Sequence, residues 1–308
     1  MYWSPKLIAI GFATIASLLA ASGCSRVDEM ANPASLRFAY VPSEEDPERR
    51  LNAYKELAEY LSEQLKMPVE LKRTASYAPT IEALRANKVD VAMMGSFSYM
   101  IAKQKAEITP LVTRGTESGP GMYRAFIASS REKNLESMDD VINSAADLTF
   151  SFVDPASTSG HLVPRAALEK MGLRPERDFK EVVFAMNHTN SAMTIISGKV
   201  DVGAFQSSLY RRLIERGRMS PEDINILWRS EAIPNGPIIA RDSLDPKIVA
   251  GITKAFLDMH AVHPLLFREL VRSSGVDGMR FWPAEDSMWD GLRAIAYSLD
   301  SMQLLQKM

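Results

Sequence analysis

Hydrophobic and polar positions follow two rhythms along this chain. Leu36-Arg-Phe-Ala-Tyr-Val41 is a nearly unbroken apolar run of strand length, and Leu51, Tyr54, Leu57, Ala58, Leu61 and Leu65 then recur at helical spacing. The pair predicts a buried strand followed by an amphipathic helix. Val69-Glu-Leu-Lys-Arg73 returns to a period of two. Strand, helix, strand at this spacing predicts a βαβ unit with parallel strands and a right-handed connection. Further strands are predicted at Tyr123–Ala128 and Leu148–Val153, a helix over Leu162–Lys170, and a connection running from Ile224–Arg229 through Ser230–Pro237 to Ile238–Ala240. Met288, Leu292, Ile295, Leu299 and Met302 keep alternating spacings of four and three, which predicts a C-terminal helix packed on its own domain. The alternation of elements predicts an α/β fold.

The plan repeats once. Lys88-Val-Asp-Val91 and Lys199-Val-Asp-Val202 align at an offset of 111, and each is preceded by a short helical run and followed by a polar turn opening another helix. At that offset Gly95 falls on Gln206, Ser96 on Ser207 and Tyr99 on Tyr210. Two similarly built lobes are expected, with Asp90 and Asp201 as turn formers at the strand entries. The chain can cross between lobes at the Gly-rich segment 115–121 and again at Ser230-Glu-Ala-Ile-Pro-Asn-Gly-Pro237. This assigns 36–121 and 232–308 to lobe 1 and the inserted 122–231 to lobe 2.

The N-terminus has a different character. Lys6 precedes an apolar run from Leu7 to Ala21 and then Ser22-Gly23-Cys24. This is the layout of a secretory signal, and the run is shorter than a membrane span requires. Cys24 is the single cysteine, so no intrachain disulfide can form. Its setting resembles the bacterial lipobox, with Ala21 in place of the usual Leu. Residues 1–23 are expected to be a lipoprotein-type signal peptide, Cys24 the lipidated residue, and 24–35 a polar tether.

The 308 residues are 46% hydrophobic and 24% charged, with a formal net charge of −2. Loss of 1–23 removes only Lys6 and leaves −3. That balance gives no sign of nucleic-acid binding. There is no Walker loop, dinucleotide glycine fingerprint or Cys/His cluster, so neither a cofactor nor a metal is expected.

The most informative stretch is Asp154-Pro-Ala-Ser-Thr-Ser-Gly-His161, set between a predicted strand and a predicted helix. A helix N-terminus presents unpaired N–H groups and partial positive charge. Ser157, Thr158 and Ser159 would add three hydroxyl donors, making an oxyanion cradle. Open α/β sheets bind ligands beyond the carboxyl ends of their strands. The segments Gly95–Tyr99, Ser157–His161, Asn187–Asn190 and Gln206–Ser208 occupy that position, with Tyr77 as a fifth candidate. None contains Lys or Arg, although Arg165 lies one turn beyond the cradle. His188, just past the strand-like Val182-Val183, could donate to an anion, whereas His161 begins the helix. Ser159 with His161 or His188 could be written as a nucleophile and base. No Gly-x-Ser-x-Gly elbow or orienting carboxylate accompanies them, so an enzyme is not expected.

At these residues the chain resembles the phosphate/phosphite/phosphonate-binding proteins of bacterial ABC importers. The resemblance is carried by Asp154–Pro164 and extends to Tyr77–Arg85, Val89–Tyr99, Gly198–Gly203, Ala232–Pro237 and Arg280-Phe-Trp-Pro283. It implies a type II periplasmic-binding-protein fold, two α/β lobes joined by a hinge that close on a small anionic ligand: a phosphonate, phosphite or phosphate. It also implies that Ser157, Thr158 and Ser159 hold phosphorus oxygens, that Tyr77 and Tyr99 reach in from lobe 1, and that His188 is the site histidine. The family usually places Asp or Asn where this chain has Gln206, and commonly a Gly before the histidine where it has Asn187. The expected protein is an extracytoplasmic, lipid-anchored monomer serving an ABC permease. A sensory binding protein serving a membrane receptor or kinase would use the same cleft.

Overall fold

The computed structural model describes residues 31–41, 47–271 and 278–299. The expected signal peptide, Cys24 and most of the tether lie outside the described residues. In chain order, β1 (Leu36–Tyr40), α1 (Pro47–Leu65), β2 (Val69–Arg73), α2 (Tyr77–Arg85), β3 (Val91–Met93), α3 (Ser96–Lys105) and β4 (Ile108–Thr116) begin one α/β unit. Two short strands follow, β5 (Gly119–Pro120) and β6 (Met122–Tyr123). A second unit holds β7 (Ala125–Ser130), α4 (Met138–Ser144), β8 (Thr149–Phe152), α5 (Val163–Lys170), α6 (Pro175–Asp178), β9 (Glu181–Phe184), α7 (His188–Ile196), β10 (Val202–Gln206), α8 (Ser207–Glu215) and β11 (Ile224–Arg229). The chain returns through β12 (Ile233–Pro234) to β13 (Pro237–Arg241), α9 (Pro246–Val262), α10 (Pro264–Val271), β14 (Met279–Pro283) and α11 (Asp290–Ser298).

Each unit has its own sheet. The first runs β2-β1-β3-β13-β4-β14, with β5 against β4; the second runs β9-β8-β10-β7-β11. In both, a parallel trio is followed by an antiparallel strand that enters directly after a crossing, β13 in one and β7 in the other. This is the two-lobe type II arrangement. The two crossings pair with each other as a short antiparallel ribbon, Ile233 opposite Tyr123 and Pro234 opposite Met122.

Alternation along β1 explains the layering. Leu36, Phe38 and Tyr40 pack under α1, α9 and α10, while Ala39 joins the opposite layer with α2, α3 and α11. That second layer also takes in Ala125, Ala156, Leu162 and Val163 from the second lobe, so apolar packing continues across the lobe boundary. In α1, Tyr54, Leu57, Ala58 and Leu61 are buried, as the periodicity predicts, whereas Leu51 is exposed. Phe150 and Phe152 from β8 pack with Leu168 and Phe179 on one face of the second sheet, and Phe205 with Leu209 and Leu213 on the other.

The repeated Asp residues do more than turn the chain. Asp90 is fully buried and accepts hydrogen bonds from the Arg37 N–H at 2.7 Å and from the guanidinium groups of Arg37 and Arg241. Burial alone would raise its carboxyl; the bonds from Arg37 and Arg241 hold it below the usual range. Asp201 accepts from the N–H and hydroxyl of Thr149 at 2.7 and 2.8 Å and pairs with Lys133. In each lobe an Asp at the entrance of the central strand therefore secures the first residues of its parallel neighbour.

Candidate ligand-binding cleft

Five helix starts converge where the parallel strands of both sheets end. The Ser76–Tyr77 turn opens α2, Gly95 precedes α3, a π-helical turn at Thr158–Leu162 leads into α5, Asn187 caps α7, and Gln206 precedes α8. None carries an acidic residue in its first turn. Carboxylates ordinarily favour that position because they offset the dipole and the unpaired N–H groups. Peripheral α4 and α6 obey the rule, with Asp139 and Asp140 in one and Glu176 and Asp178 in the other. The starts of α2, α3 and α8 also lack a side-chain cap. The convergence therefore leaves donors and positive potential for an exogenous anion.

The cleft between the lobes has a volume of about 250 Å³. Ser157, Thr158, Ser159, Tyr77, His188 and Gln206 all line it. The three cradle hydroxyl residues are almost fully buried. Ser157 accepts from the Gly160 N–H at 3.1 Å, so its own O–H is available to donate. Gly160 is required here, because a Cβ at that position would lie 2.3 Å from the Val153 side chain.

The lobes already touch at the cradle. Thr158 Oγ1, in lobe 2, accepts from the backbone N–H of Phe97 at the start of α3 at 2.8 Å. Tyr123, on the crossing ribbon, has its hydroxyl within hydrogen-bonding reach of Ser159, Thr158 and Ser96. Asp154 engages Ser76 across the boundary and accepts from the Ala156 N–H at 2.7 Å. Burial pushes the Tyr77 and Tyr123 hydroxyls above the ordinary phenol range, so both stand as neutral donors. Burial likewise raises the Asp154 carboxyl, against the bonds from Ala156 and Ser76.

Tyr99 is a correction. It does not line the cleft. It is fully buried inside lobe 1, its ring edge-on to Trp289 at 4.9 Å and its hydroxyl donating to Asp286, which also pairs with Arg293 of α11. The C-terminal segment supplies a partner on the side of α3 away from the ligand, and the ring packs there. Arg165 is also turned away, bonded to His161, Glu169 and Glu176. His161 is structural: Nδ1 donates to the Pro155 carbonyl at 2.8 Å and Nε2 accepts from Arg165 at 3.1 Å. With both ring nitrogens engaged, it is not placed to act as a base for Ser159.

Sequence reasoning missed Tyr123 and three arginines. Arg114 from β4 and Arg211 and Arg212 from α8 line the cleft. Tyr123 directly follows the Gly-rich crossing, a signal that could have marked it. The arginines lie outside the strand-end segments, and only the folded arrangement brings them in. Among the described residues no group of His, Cys, Asp and Glu could hold a metal ion, and no helix is long and apolar enough to cross a membrane.

A family model for the periplasmic substrate-binding proteins of phosphonate ABC transporters matches residues 38–289. The chain is 29% identical to the phosphate-import protein PhnD of Mycolicibacterium smegmatis over 300 residues, 90% of this chain and 91% of that one. It is 31% identical to the phosphonates-binding periplasmic protein of Escherichia coli over 169 residues, 54% of this chain and 49% of that one. The fold also matches PhnD1 of Prochlorococcus marinus in complex with methylphosphonate, with a TM-score of 0.75 and 17% identity, covering 88% of this chain and 100% of that one.

Proposed function

The chain belongs to the family of periplasmic substrate-binding proteins of phosphonate ABC transporters, and on that premise we propose that it captures a small phosphorus oxyanion or phosphonate between its lobes and delivers it to an ABC permease. The family is one of transport proteins rather than enzymes, and it works outside the cytoplasm. The observation that carries the reading is the meeting of five helix starts, from both lobes and without first-turn carboxylates, around Ser157, Thr158 and Ser159. Relatives named for phosphate import and phosphonate binding support the ligand class.

The cradle hydroxyls and helix N–H groups hold the oxygens, Tyr77 donates from lobe 1, and His188 and Gln206 donate from lobe 2. Hydrogen bonds to a charged group contribute about 1.5–3 kcal/mol each. A few of them reach the ~8 kcal/mol of micromolar binding after ordering costs. Ligand contacts from both lobes stabilise the closed arrangement over the open one. Thermal stabilisation with phosphate, phosphite, hypophosphite, methylphosphonate and 2-aminoethylphosphonate tests the reading. A shift with at least one is expected; no shift with any at millimolar concentration would sink it. Alanine at Ser157, Thr158 and Ser159 together should abolish the shift.

Cys24 anchors the mature protein to the membrane through lipid, and the chain acts as a monomer. Detergent-phase partitioning that persists in Cys24→Ser would remove the anchor from this proposal, and a dimer by light scattering would remove the monomer.

A further inference from the structure

Resting on that reading, we infer that Met122 and Met186 are modification sites: oxidation of their thioethers to the sulfoxide shuts off ligand capture. The first support is access. Met122 and Met186 are 58% and 61% exposed, and every other methionine among the described residues is partly or fully buried. Met100, Met219 and Met259 are buried in the cores. An oxidant in solution therefore reaches two thioethers ahead of the rest, since susceptibility follows exposure.

The second support is place. Both of these exposed methionines line the cleft, and the backbone holds each of them there. Met122 pairs with Pro234 in the crossing ribbon. Met186 directly precedes Asn187, whose side chain caps α7 by accepting from the Asn190 N–H at 2.8 Å. Its own φ is +70°, a left-handed conformation that a non-glycine residue keeps only where its surroundings impose it. Neither residue can leave the cleft without moving the ribbon or the cap.

The third support is chemistry. The co-reactant is a peroxide, a two-electron oxidant that gives up an oxygen atom. A sulfur lone pair attacks one peroxide oxygen, and the S–O bond forms as the O–O bond breaks. The proton on the transferred oxygen passes to the departing hydroxide, which leaves as water. Sulfur loses two electrons and the peroxide gains them. The thioether, flexible and apolar, becomes a polar sulfoxide. Its oxygen carries partial negative charge and accepts hydrogen bonds, so at the wall of an oxyanion cleft it competes with the ligand's oxygens and repels them. A methionine sulfoxide reductase returns the thioether, so the block is reversible. The family works outside the cytoplasm, beyond the reductants that protect the cell interior.

Limited treatment of the protein with hydrogen peroxide tests the inference. Peptide mass spectrometry locates the added oxygen, and calorimetric titration with phosphate, phosphite, hypophosphite, methylphosphonate and 2-aminoethylphosphonate is run before and after. Met122 and Met186 should oxidise about tenfold or more faster than Met100, Met219 and Met259. With those two oxidised, affinity for the tightest of the five ligands should fall about tenfold or more, and a methionine sulfoxide reductase should restore it. The melting temperature of the ligand-free protein should hold. The double variant Met122→Leu with Met186→Leu, compared with itself before treatment, should lose less than about twofold. The inference fails if the buried methionines oxidise as fast, if affinity survives oxidation of both, or if the double variant loses as much as the original protein. It fails also if oxidation collapses the melting temperature, since unfolding then accounts for the loss. Any of these results overturns this inference alone, whereas an untreated protein that binds none of the five overturns the proposed function with it.

Discussion

Replacing Thr158 by Val keeps the shape of the side chain and removes the oxygen that accepts the Phe97 N–H at 2.8 Å. Thr158 belongs to lobe 2 and Phe97 to lobe 1, so the bond exists only while the lobes are together. In an open arrangement water satisfies the Phe97 N–H at little cost. In the closed arrangement of the variant that N–H faces a methyl group in a buried setting. Leaving a buried donor unsatisfied costs about 1–3 kcal/mol, and the cost falls on the closed state alone. Affinity depends on the population of the closed state, so the lost acceptor alone should weaken methylphosphonate binding by about 5- to 150-fold, and loss of the hydroxyl that the cradle would offer the ligand adds to that. Thr158→Ser, which keeps the oxygen, should stay within a few fold of the original protein. Calorimetry gives the affinities, and small-angle scattering gives the closure: the Val variant should need more ligand to reach the compact radius of gyration. Affinity unchanged within twofold in Thr158→Val would refute the reasoning. A loss of melting temperature in the ligand-free protein with no loss of affinity would reassign the bond to the resting fold.

Further outcomes follow from other groups. Burial, helped by Arg165, pushes the His161 pKa down to about 4 from an unfolded value of 6.5. Stability should therefore be intact above pH 6.5 and fall by about 3 kcal/mol as pH drops through 4; urea midpoints at pH 7.5 and 5 read about 2 kcal/mol of that loss, and a slope as steep in His161→Gln would contradict the assignment. The raised Asp154 carboxyl works in the opposite sense at lower pH, so pH 5 to 6.5 is the window to compare. Asp90→Asn removes the carboxylate from two arginines, one of them only 3% exposed. Breaking such a buried pair costs about 3–5 kcal/mol, a fall of about 6–20 °C in melting temperature, and an unchanged Tm would show the network to be dispensable. In Gly236→Ala the new Cβ would lie 2.1 Å from the Met94 carbonyl oxygen. Backbone at the entrance of α3 must then move, and both stability and ligand affinity should drop; retention of both would show that the β3–β13 contact yields freely.

The sequence displays the fold where local pattern decides it. Period two marks β2, the helical spacing marks α1, and the Lys-Val-Asp-Val echo marks the two lobes. It hides β4, a long strand in the first sheet, because Pro110 interrupts the run. The structure accommodates that proline where the register with β13 shifts between Ile238 and Ile239, the kind of irregularity at which proline is tolerated within a sheet. The tail helix starts late: Asp286–Trp289 form a tighter turn before α11, and Met302 lies outside the described residues. The part of the cleft that was legible is the part made at strand ends, where the local pattern decides the position. Ser157, Thr158 and Ser159, Tyr77, His188 and Gln206 all sit at the step from a strand to a helix. Tyr99 shares that step but points elsewhere, because its direction is set by Trp289 and Asp286, nearly two hundred residues away. Tyr123 was legible only as the residue that follows the Gly-rich crossing, Arg211 and Arg212 lie one turn beyond the Gln206–Ser208 segment, and Arg114 reaches the cleft from inside the obscured strand β4.

Asp90 and Asp201 stand at the opposite ends of the central strands from the cleft. Each lobe is thus clamped at one pole by charge and hydrogen bonds and open at the other to a set of loops that line the cleft. The two poles answer to separate demands. On the proposed reading, substitutions at the cleft-lining Met186, Asn187 or Gln206 would alter recognition without disturbing the pins that hold the strands in register. A scaffold divided in this way can change cargo through a handful of loop residues while its architecture stays fixed.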